Sequence, residues 1–310
     1  MISVENLTKR FSDFTAIDNI SCQINDGSIY GLVGANGAGK STFLRIISGV
    51  YKPDSGKVLM DGAEIWENPA SKARIAYVSD DPYFTSHSTL TDMEKMYRSV
   101  FARFDTAKFN GLINDLSLDK KKPINSFSKG MKRQAAISLA MSLMPDYILL
   151  DETFDGLDPV MRSIVKSLIS ADVIDRGTTA VITSHSLREL EDTCDQLAML
   201  HKGGVVLQSD VSDLKTEQFK IQIAFEGDYD RSKFDGIEFQ HFVKQGSVSC
   251  FIARGDRDIV AEKLKELHPK ILDILPLSLE EIFTYELEAL GYTAALDEKN
   301  DAKGGKTDEK

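Results

Sequence analysis

The sequence predicts an α/β protein that carries a smaller α+β unit towards its C-terminal end. Short apolar runs typical of parallel strands buried on both faces, such as "YILLDE" at 147–152 and "TAVITSH" at 179–185, alternate with helical stretches. A glycine-rich loop joins another such strand to a helix. After about residue 210 the chain changes to strand patterns around one helical stretch, which indicates a separate unit.

The chain opens with a predicted antiparallel β-layer, because residues 1 to about 30 alternate apolar and polar side chains. "SIYGLV" at 28–33 is a short buried strand, and a helix follows it. The turn signals Pro-Asp-Ser-Gly and Asp-Gly between residues 53 and 62 predict a hairpin. "ARIAYVS" at 73–79 predicts a further strand.

The middle of the first unit is predicted to be a helical subdomain. Apolar residues recur at three- and four-residue spacings from about 86 to 140. We expect a first domain at 1–210 and a small accessory domain at 211–292. Residues 293–310 are expected to be a disordered tail, because they are charged and hold no large aromatic side chain.

The composition is that of an ordinary globular protein of 310 residues, but its formal net charge is −11. That charge argues against a broad nucleic-acid-binding surface. Three widely separated cysteines form no disulfide framework and favour a reducing, cytoplasmic location. No apolar run approaches the roughly 20 residues of a membrane-spanning helix, and residues 1–11 lack a signal-peptide pattern. We therefore expect any membrane-spanning part of a complex to be another chain.

The glycine-rich loop has the pattern Gly34-x4-Gly39-Lys40-Ser41, between a strand and a helix. Glycines let successive backbone N–H groups converge on phosphate oxygens, and the helix N-terminus adds the positive end of its dipole. Lys40 supplies a mobile positive charge, and the Ser41 hydroxyl can ligate Mg²⁺. This loop predicts nucleotide binding.

Polar side chains follow two of the predicted parallel strands. Asp151 would lie beside the phosphate loop, where it can hold Mg²⁺ through water. Glu152 would be placed to orient or deprotonate an attacking water. His185 ends the next apolar strand and so is expected at the same edge of the sheet.

A second helix start resembles an anion site. In "NSFSKGMKRQ" at 125–134, Ser128 can cap the helix and Gly130 allows close approach of a backbone. Read alone, the stretch favours a capped helix with no ligand.

In this order the motifs resemble those of the ATP-binding subunit of an ABC transporter, over roughly residues 1 to 210. The matching stretches are "GANGAGKST" as Walker A, "YILLDE" as Walker B, "FSKGM" as signature, "DGLD" as D-loop and His185 as switch histidine. "SKGMKRQ" and "LSLEEIFTYEL" at 277–287 resemble the single-domain subunits that serve ABC-2-type permeases.

The resemblance implies a P-loop NTPase with a RecA-like core, an antiparallel β-layer, a helical subdomain and a small C-terminal α+β domain. It implies ATP and Mg²⁺, with Glu152 and His185 as catalytic residues and Ser41 and Asp151 at the metal. Phe11 would stack on adenine with Ala16 beside the ring. The other implied ATP-binding residues are Asn36, Gly37, Gly39, Lys40, Ser41 and Thr42.

The resemblance also implies a head-to-tail dimer, in which the signature of one subunit covers the γ-phosphate held by the other. Ser128 and Gly130 then act in trans, and Asp158 of the D-loop lies at the seam. The implied partners are a second ATP-binding subunit, in a homodimer or a heterodimer, and an integral membrane permease that contacts residues 80 to about 97. This assembly would sit on the cytoplasmic, inner face of the cell membrane, and no nucleic acid is expected.

The sequence departs from the family at two places. Phe127, Lys129 and Met131 replace the usual leucine, second glycine and glutamine of the signature. Asp80 stands where the family usually carries a glutamine that senses Mg²⁺. A carboxylate can ligate Mg²⁺ but cannot donate a hydrogen bond when ionised, so Asp80 is a further candidate metal ligand.

Two other functions stay open at this level. A soluble ABC ATPase that acts on ribosomes or DNA is disfavoured by the single set of motifs, the lack of coiled-coil insertions and the negative charge. A nucleotide-binding regulator without turnover is disfavoured by the presence of Glu152 and His185.

Overall fold

The structure, a computed structural model, describes residues 1–289, without the side chains of 215–217 and 286–289. The expected tail at 293–310 lies outside the described residues. The chain divides into two compact units, the first Met1–Gln208 and the second beginning at Ser209. The first is an α/β arrangement and the second an α+β arrangement, and each has its own core.

The strands are Ile2–Phe11 (β1), Phe14–Ile24 (β2), Ile29–Val33 (β3), Ser55–Met60 (β4), Ala63–Glu64 (β5), Ile75–Val78 (β6), Tyr147–Leu150 (β7), Thr179–Ser184 (β8), Gln196–His201 (β9), Gly204–Asp210 (β10), Gln218–Ala224 (β11), Phe239–Gln245 (β12), Val248–Arg254 (β13) and Ile271–Pro276 (β14). The α-helices are Lys40–Ile47 (α1), Pro69–Lys72 (α2), Leu90–Val100 (α3), Thr106–Asp115 (α4), Lys129–Ser142 (α5), Pro159–Arg176 (α6), Leu187–Leu190 (α7), Val211–Glu217 (α8), Arg257–Glu266 (α9) and Leu279–Ala289 (α10).

The predicted β-layer is an antiparallel sheet of four strands in the order β2-β1-β4-β5. Its inner face packs against α1 and the second sheet of this unit. Ile2, Val4 and Leu7 of β1 share one core with Phe43 and Leu44 of α1, all of them buried. This core fixes α1 and therefore the loop that precedes it.

The second sheet of this unit has the order β10-β9-β3-β8-β7-β6. Neighbours from β9 to β6 run parallel, and every residue of β3, β7 and β8 is buried, as their apolar sequences predict. Val33 lies opposite Ser184, and Leu150 lies opposite both Ile182 and Val78. The residues that follow these four strands therefore meet at one edge of the sheet.

The predicted helical subdomain contains α3, α4 and α5. Thr89 and Asp92 form a capping box at the start of α3, and Asp105 caps α4. Phe109 of α4 and Ile137 of α5 are fully buried, so these helices share an apolar interior. The predicted α/β core with a helical insertion is confirmed.

The second unit is an antiparallel sheet in the order β12-β13-β11-β14 with α9 and α10. Its core is rich in aromatic rings around Phe234, which is fully buried and lies 4.9 Å from the ring of Phe251. The predicted small α+β fold is confirmed. In the described part of the chain, no helix is both long enough and apolar enough to span a bilayer.

Candidate functional site

The loop between β3 and α1 is held by two close backbone approaches that only glycine permits. A Cβ built on Gly34 would lie 2.4 Å from the carbonyl oxygen of Leu200, and one on Gly39 would lie 2.4 Å from that of Ala16. Gly39 also has φ 109°, in the region that favours glycine, directly before the first turn of α1. The loop thus wraps around the N-terminus of α1, where backbone N–H groups lack helical partners.

Lys40 is the first residue of α1 and is buried. Its ammonium donates to the carbonyl oxygens of Gly34 and Ala35 at 2.5 and 3.2 Å. It also pairs with Glu152 Oε1 at 2.9 Å. The loop, the lysine and the carboxylate after β7 therefore form one connected group.

Asp151 follows β7 and is fully buried. Its Oδ1 accepts from the hydroxyls of Ser41 at 3.0 Å and Thr183 at 2.9 Å, and its Oδ2 accepts from the Tyr77 hydroxyl at 3.1 Å. Burial and, to a smaller extent, the Asp151 carboxylate raise the pKa of Tyr77 to about 12. The Asp151 carboxylate and the Ser41 hydroxyl are hard oxygen donors side by side, a donor set that suits Mg²⁺.

Glu152 is held through both its side chain and its backbone. Its Oε2 lies 2.9 Å from His185 Nδ1, and its backbone N–H donates to the Thr183 hydroxyl at 2.9 Å. Burial pushes its pKa up, but hydrogen bonds and charges from His185 and Lys40 outweigh this, and the pKa is lowered. Glu152 is therefore an ionised carboxylate at neutral pH, able to accept a proton or orient a water.

A groove of about 270 Å³ opens along this edge. Its lining residues are Phe14, Ala16, Asn36, Gly37, Gly39, Lys40, Ser41, Thr42, Asp80 and Glu152. A larger cavity of about 430 Å³ beside α6 holds none of the predicted site residues. We therefore take the smaller groove as the candidate nucleotide site.

Phe11 is not among the lining residues of this groove, whereas Phe14 is. The two phenylalanines are paired across the turn between β1 and β2, and they are 41% and 59% exposed. The rings of Phe11 and Tyr51 pack edge to face, with their centroids 5.6 Å apart. Stacking of a base on Phe11 stays a prediction, and Phe14 is a second aromatic ring at the same hairpin tip.

Asp80 follows β6 and lines the groove, but its carboxylate also forms an ion pair with Arg133 of α5. The Arg133 guanidinium donates as well to the Asp80 carbonyl oxygen at 3.0 Å. Of the predicted metal ligands, Ser41 and Asp151 thus lie together, and Asp80 has a cation as partner.

The signature residues lie outside the groove of their own chain. The exposed Ser128 caps α5 by accepting from the N–H of Met131 at 3.2 Å. A Cβ on Gly130 would lie 3.0 Å from the carbonyl oxygen of Gly156, so the helix start packs closely on the loop after β7. Asp158 caps α6 by accepting from the N–H groups of Val160 and Met161.

Four side chains at or near this edge were missed from sequence: Phe14, Tyr77, Arg133 and Thr183. Thr183 carried a signal, since it is a hydroxyl within an apolar strand two residues before His185. Tyr77 likewise carries a hydroxyl within an apolar strand, "IAYV" at 75–78. The partner of Arg133 is 53 residues away, and no local pattern indicates it.

A family model described as "ABC transporter" matches residues 17–155. The chain is 33% identical over 287 residues to the ABC transporter ATP-binding protein YtrB of Bacillus subtilis, covering 91% of this chain and 97% of that protein. It is 30% identical to the lantibiotic transport ATP-binding protein SrtF of Streptococcus pyogenes, covering 73% of this chain and 99% of that protein.

The fold has solved counterparts. The structure of cbiO1 from Clostridium perfringens, described as part of the ABC transporter complex cbiONQ, is 26% identical and matches with a TM-score of 0.59. The match covers 69% of this chain and 89% of that one.

Proposed function

The chain belongs to the ABC transporter family of ATP-binding proteins, and from that premise we propose which residues act and with which partners. Proteins of this family bind and hydrolyse ATP, and this chain is an ATPase subunit of a transporter. The observation that carries the proposed roles is the meeting of Lys40, Ser41, Asp151, Glu152 and His185 at one sheet edge.

Lys40 and the N–H groups at the start of α1 hold the phosphates of ATP. The Lys40 ammonium lies 2.9 Å from Glu152 Oε1. When the β- and γ-phosphates arrive, they compete for this ammonium, because phosphate oxygens offer it charge-assisted hydrogen bonds. Glu152 then loses its contact with Lys40 and keeps its contact with His185.

Ser41 and Asp151 are the residues that would hold Mg²⁺, which supplies charge neutralisation of the phosphates when bound. Thr183 and Tyr77 fix the Asp151 carboxylate by donating to both of its oxygens. Asp80 stays a predicted further ligand, with Arg133 as its present partner.

Glu152 orients the attacking water and accepts its proton, and His185 holds the Glu152 carboxylate in place through Nδ1. The lowered pKa keeps this base ionised at neutral pH. Thr183 links the two acidic residues, since its hydroxyl accepts from the Glu152 N–H and donates to Asp151.

The active assembly is a head-to-tail dimer with a second ATP-binding subunit, either another copy or a related chain. Supporting this, Ser128 is exposed at the N-terminus of the 14-residue α5 and outside the groove of its own chain. That helix start is free to cover a phosphate held by a partner. Asp158 at the start of α6 would lie at the seam between the subunits.

The second partner is an integral membrane permease of the ABC-2 type, and the ATPase acts on the inner face of the membrane. Relatives named for transport and a neighbour named as part of a transporter complex support this. A groove between the loop after β6 and helices α3 and α5, lined mostly by apolar and aromatic residues, suits a segment of the permease. Tyr83 at its rim is 86% exposed, and Phe84, Met93 and Tyr97 also line it.

Co-purification from detergent-solubilised membranes of the native host tests this partner. We expect the tagged chain to recover a membrane protein with several spans, and Tyr83→Asp to lose about tenfold of it, because a carboxylate would be desolvated in the contact. Ile174→Asp is the matched control, since Ile174 on α6 is 80% exposed and lies outside that groove. Recovery without any membrane protein, or equal loss in both variants, would contradict the proposal.

The alternatives of an ATPase acting on ribosomes or nucleic acid and of a regulator without turnover are not favoured. The relatives carry transport in their names, and the chain has its base and histidine in contact.

A further inference from the structure

Arg133 is a buried cation beside the nucleotide groove. Its side chain is 1% exposed, although it lies only five residues after Ser128 on the signature helix. A buried guanidinium is costly unless its charge is paired and its N–H groups are satisfied. Since arginine stays protonated at any working pH, the charge must be balanced by neighbouring groups.

The main partner of the Arg133 guanidinium is Asp80. Nε and Nη2 of Arg133 donate to the carbonyl oxygen of Asp80 at 3.3 and 3.0 Å, and Nη2 also donates to its carboxylate. The guanidinium thus holds both the backbone and the side chain of residue 80. Within the described residues its Nη1 makes no hydrogen bond, and it lies 3.6 Å from Asp155 Oδ2.

Asp80 faces the groove in which Lys40 and Ser41 lie. Its side chain is 55% exposed, so the carboxylate is open to solvent at the wall of this groove. An unpaired carboxylate there would repel phosphate oxygens, because like charges in a partly desolvated site are weakly screened. Glu152 already supplies one negative charge to the same groove.

We propose that Arg133 is a positioning residue for ATP: it neutralises Asp80 and clamps the loop after β6, so that the acidic side chain at the groove does not oppose the triphosphate. This rests on the proposed function of the groove as the ATP site. Asp80 then depends on Arg133 of the same chain, and this ion pair connects the groove to the signature helix α5.

Calorimetric titration of the full chain with ATP, in EDTA so that no turnover occurs, tests the proposal. Arg133→Gln should bind ATP about tenfold more weakly, because it leaves the Asp80 carboxylate uncompensated. The double variant Asp80→Asn/Arg133→Gln should return to within about threefold of the wild type, since a merely structural loss would not be rescued by removing the acid. Lys132→Gln, which removes the same charge from the next residue of α5, should change affinity less than about twofold.

Asp80→Asn alone keeps the test valid if Arg133→Gln does not fold, because Arg133 can still donate to the backbone carbonyl and the amide oxygen of residue 80 and lies 3.6 Å from the Asp155 carboxylate. That variant should bind ATP as tightly as the wild type or more tightly. Weaker binding by it, normal binding by Arg133→Gln, no rescue in the double variant, or an equal loss in Lys132→Gln would each overturn the proposal. A wild-type chain that binds no ATP would instead overturn the proposed function, and the inference with it.

Discussion

Two adjacent carboxylates at the end of β7 have different surroundings and therefore different chemistry. Asp151 is fully buried and accepts three hydrogen bonds from hydroxyl groups, whereas Glu152 is 13% exposed and contacts two ionisable side chains. The three hydroxyl groups fix the orientation of the Asp151 carboxylate oxygens. The contacts with His185 and Lys40 lower the pKa of Glu152. One strand end thus carries both the proposed metal ligand and the proposed base.

Stacking of adenine on Phe11 is a residue-level prediction that can be tested directly. Phe11→Ala should weaken ATP binding about tenfold, since stacking on an aromatic ring is worth roughly 1–3 kcal/mol per base. The Phe11 ring is already held by Tyr51, so less side-chain freedom is lost on stacking than for the more exposed Phe14.

Phe14→Ala is the matched control for this prediction and should cost less than Phe11→Ala. Titration with ATP measures both. A larger loss in Phe14→Ala would move the stacking role to that residue, as its place in the groove lining allows.

Among the elements, the meeting of these side chains could be predicted because Asp151 and His185 directly follow apolar strands and the phosphate loop follows a third. The parallel order of β3, β8 and β7 then brings Lys40, Asp151 and His185 to one edge, whatever the details of packing. The pair of Asp80 and Arg133 could not be predicted in this way. Its contact depends on how α5 packs beside the loop after β6, and no periodicity encodes that rotation.

The phosphate loop gives a prediction about an element's stability. Gly39→Ala should lower the free energy of unfolding by about 3 kcal/mol, because its Cβ would lie 2.4 Å from the Ala16 carbonyl oxygen at a φ of 109°. Gly37→Ala is the control: it shares a positive φ, 82°, but its Cβ would meet open space, so about 1 kcal/mol is expected.

Urea unfolding followed by tryptophan fluorescence measures this difference. The chain has one tryptophan, Trp66, and it lies in the first unit, so the signal is specific to the unit that holds the loop. Equal losses in the two variants would mean that the close approach to Ala16 does not constrain the loop.

For the molecule as a whole, the proposed head-to-tail dimer requires that each ATP site be completed by a second copy. The groove contains the phosphate loop, Asp80 and Glu152, whereas Ser128 and Gly130 lie outside it on the start of α5. The second unit has a core of its own. In the proposed head-to-tail dimer, a second chain would bring its signature helix onto the triphosphate held by this loop.

The most direct measurement is phosphate release from an equimolar mixture of two inactive variants, Lys40→Ala and Ser128→Asp. Aspartate still caps a helix, so α5 is kept while its carboxylate opposes the phosphate. Each variant alone should release almost no phosphate, and the mixture should recover about a quarter of the wild-type rate, because random pairing gives mixed dimers with one intact site. A mixture no faster than the sum of its separate components would contradict a site shared between two copies.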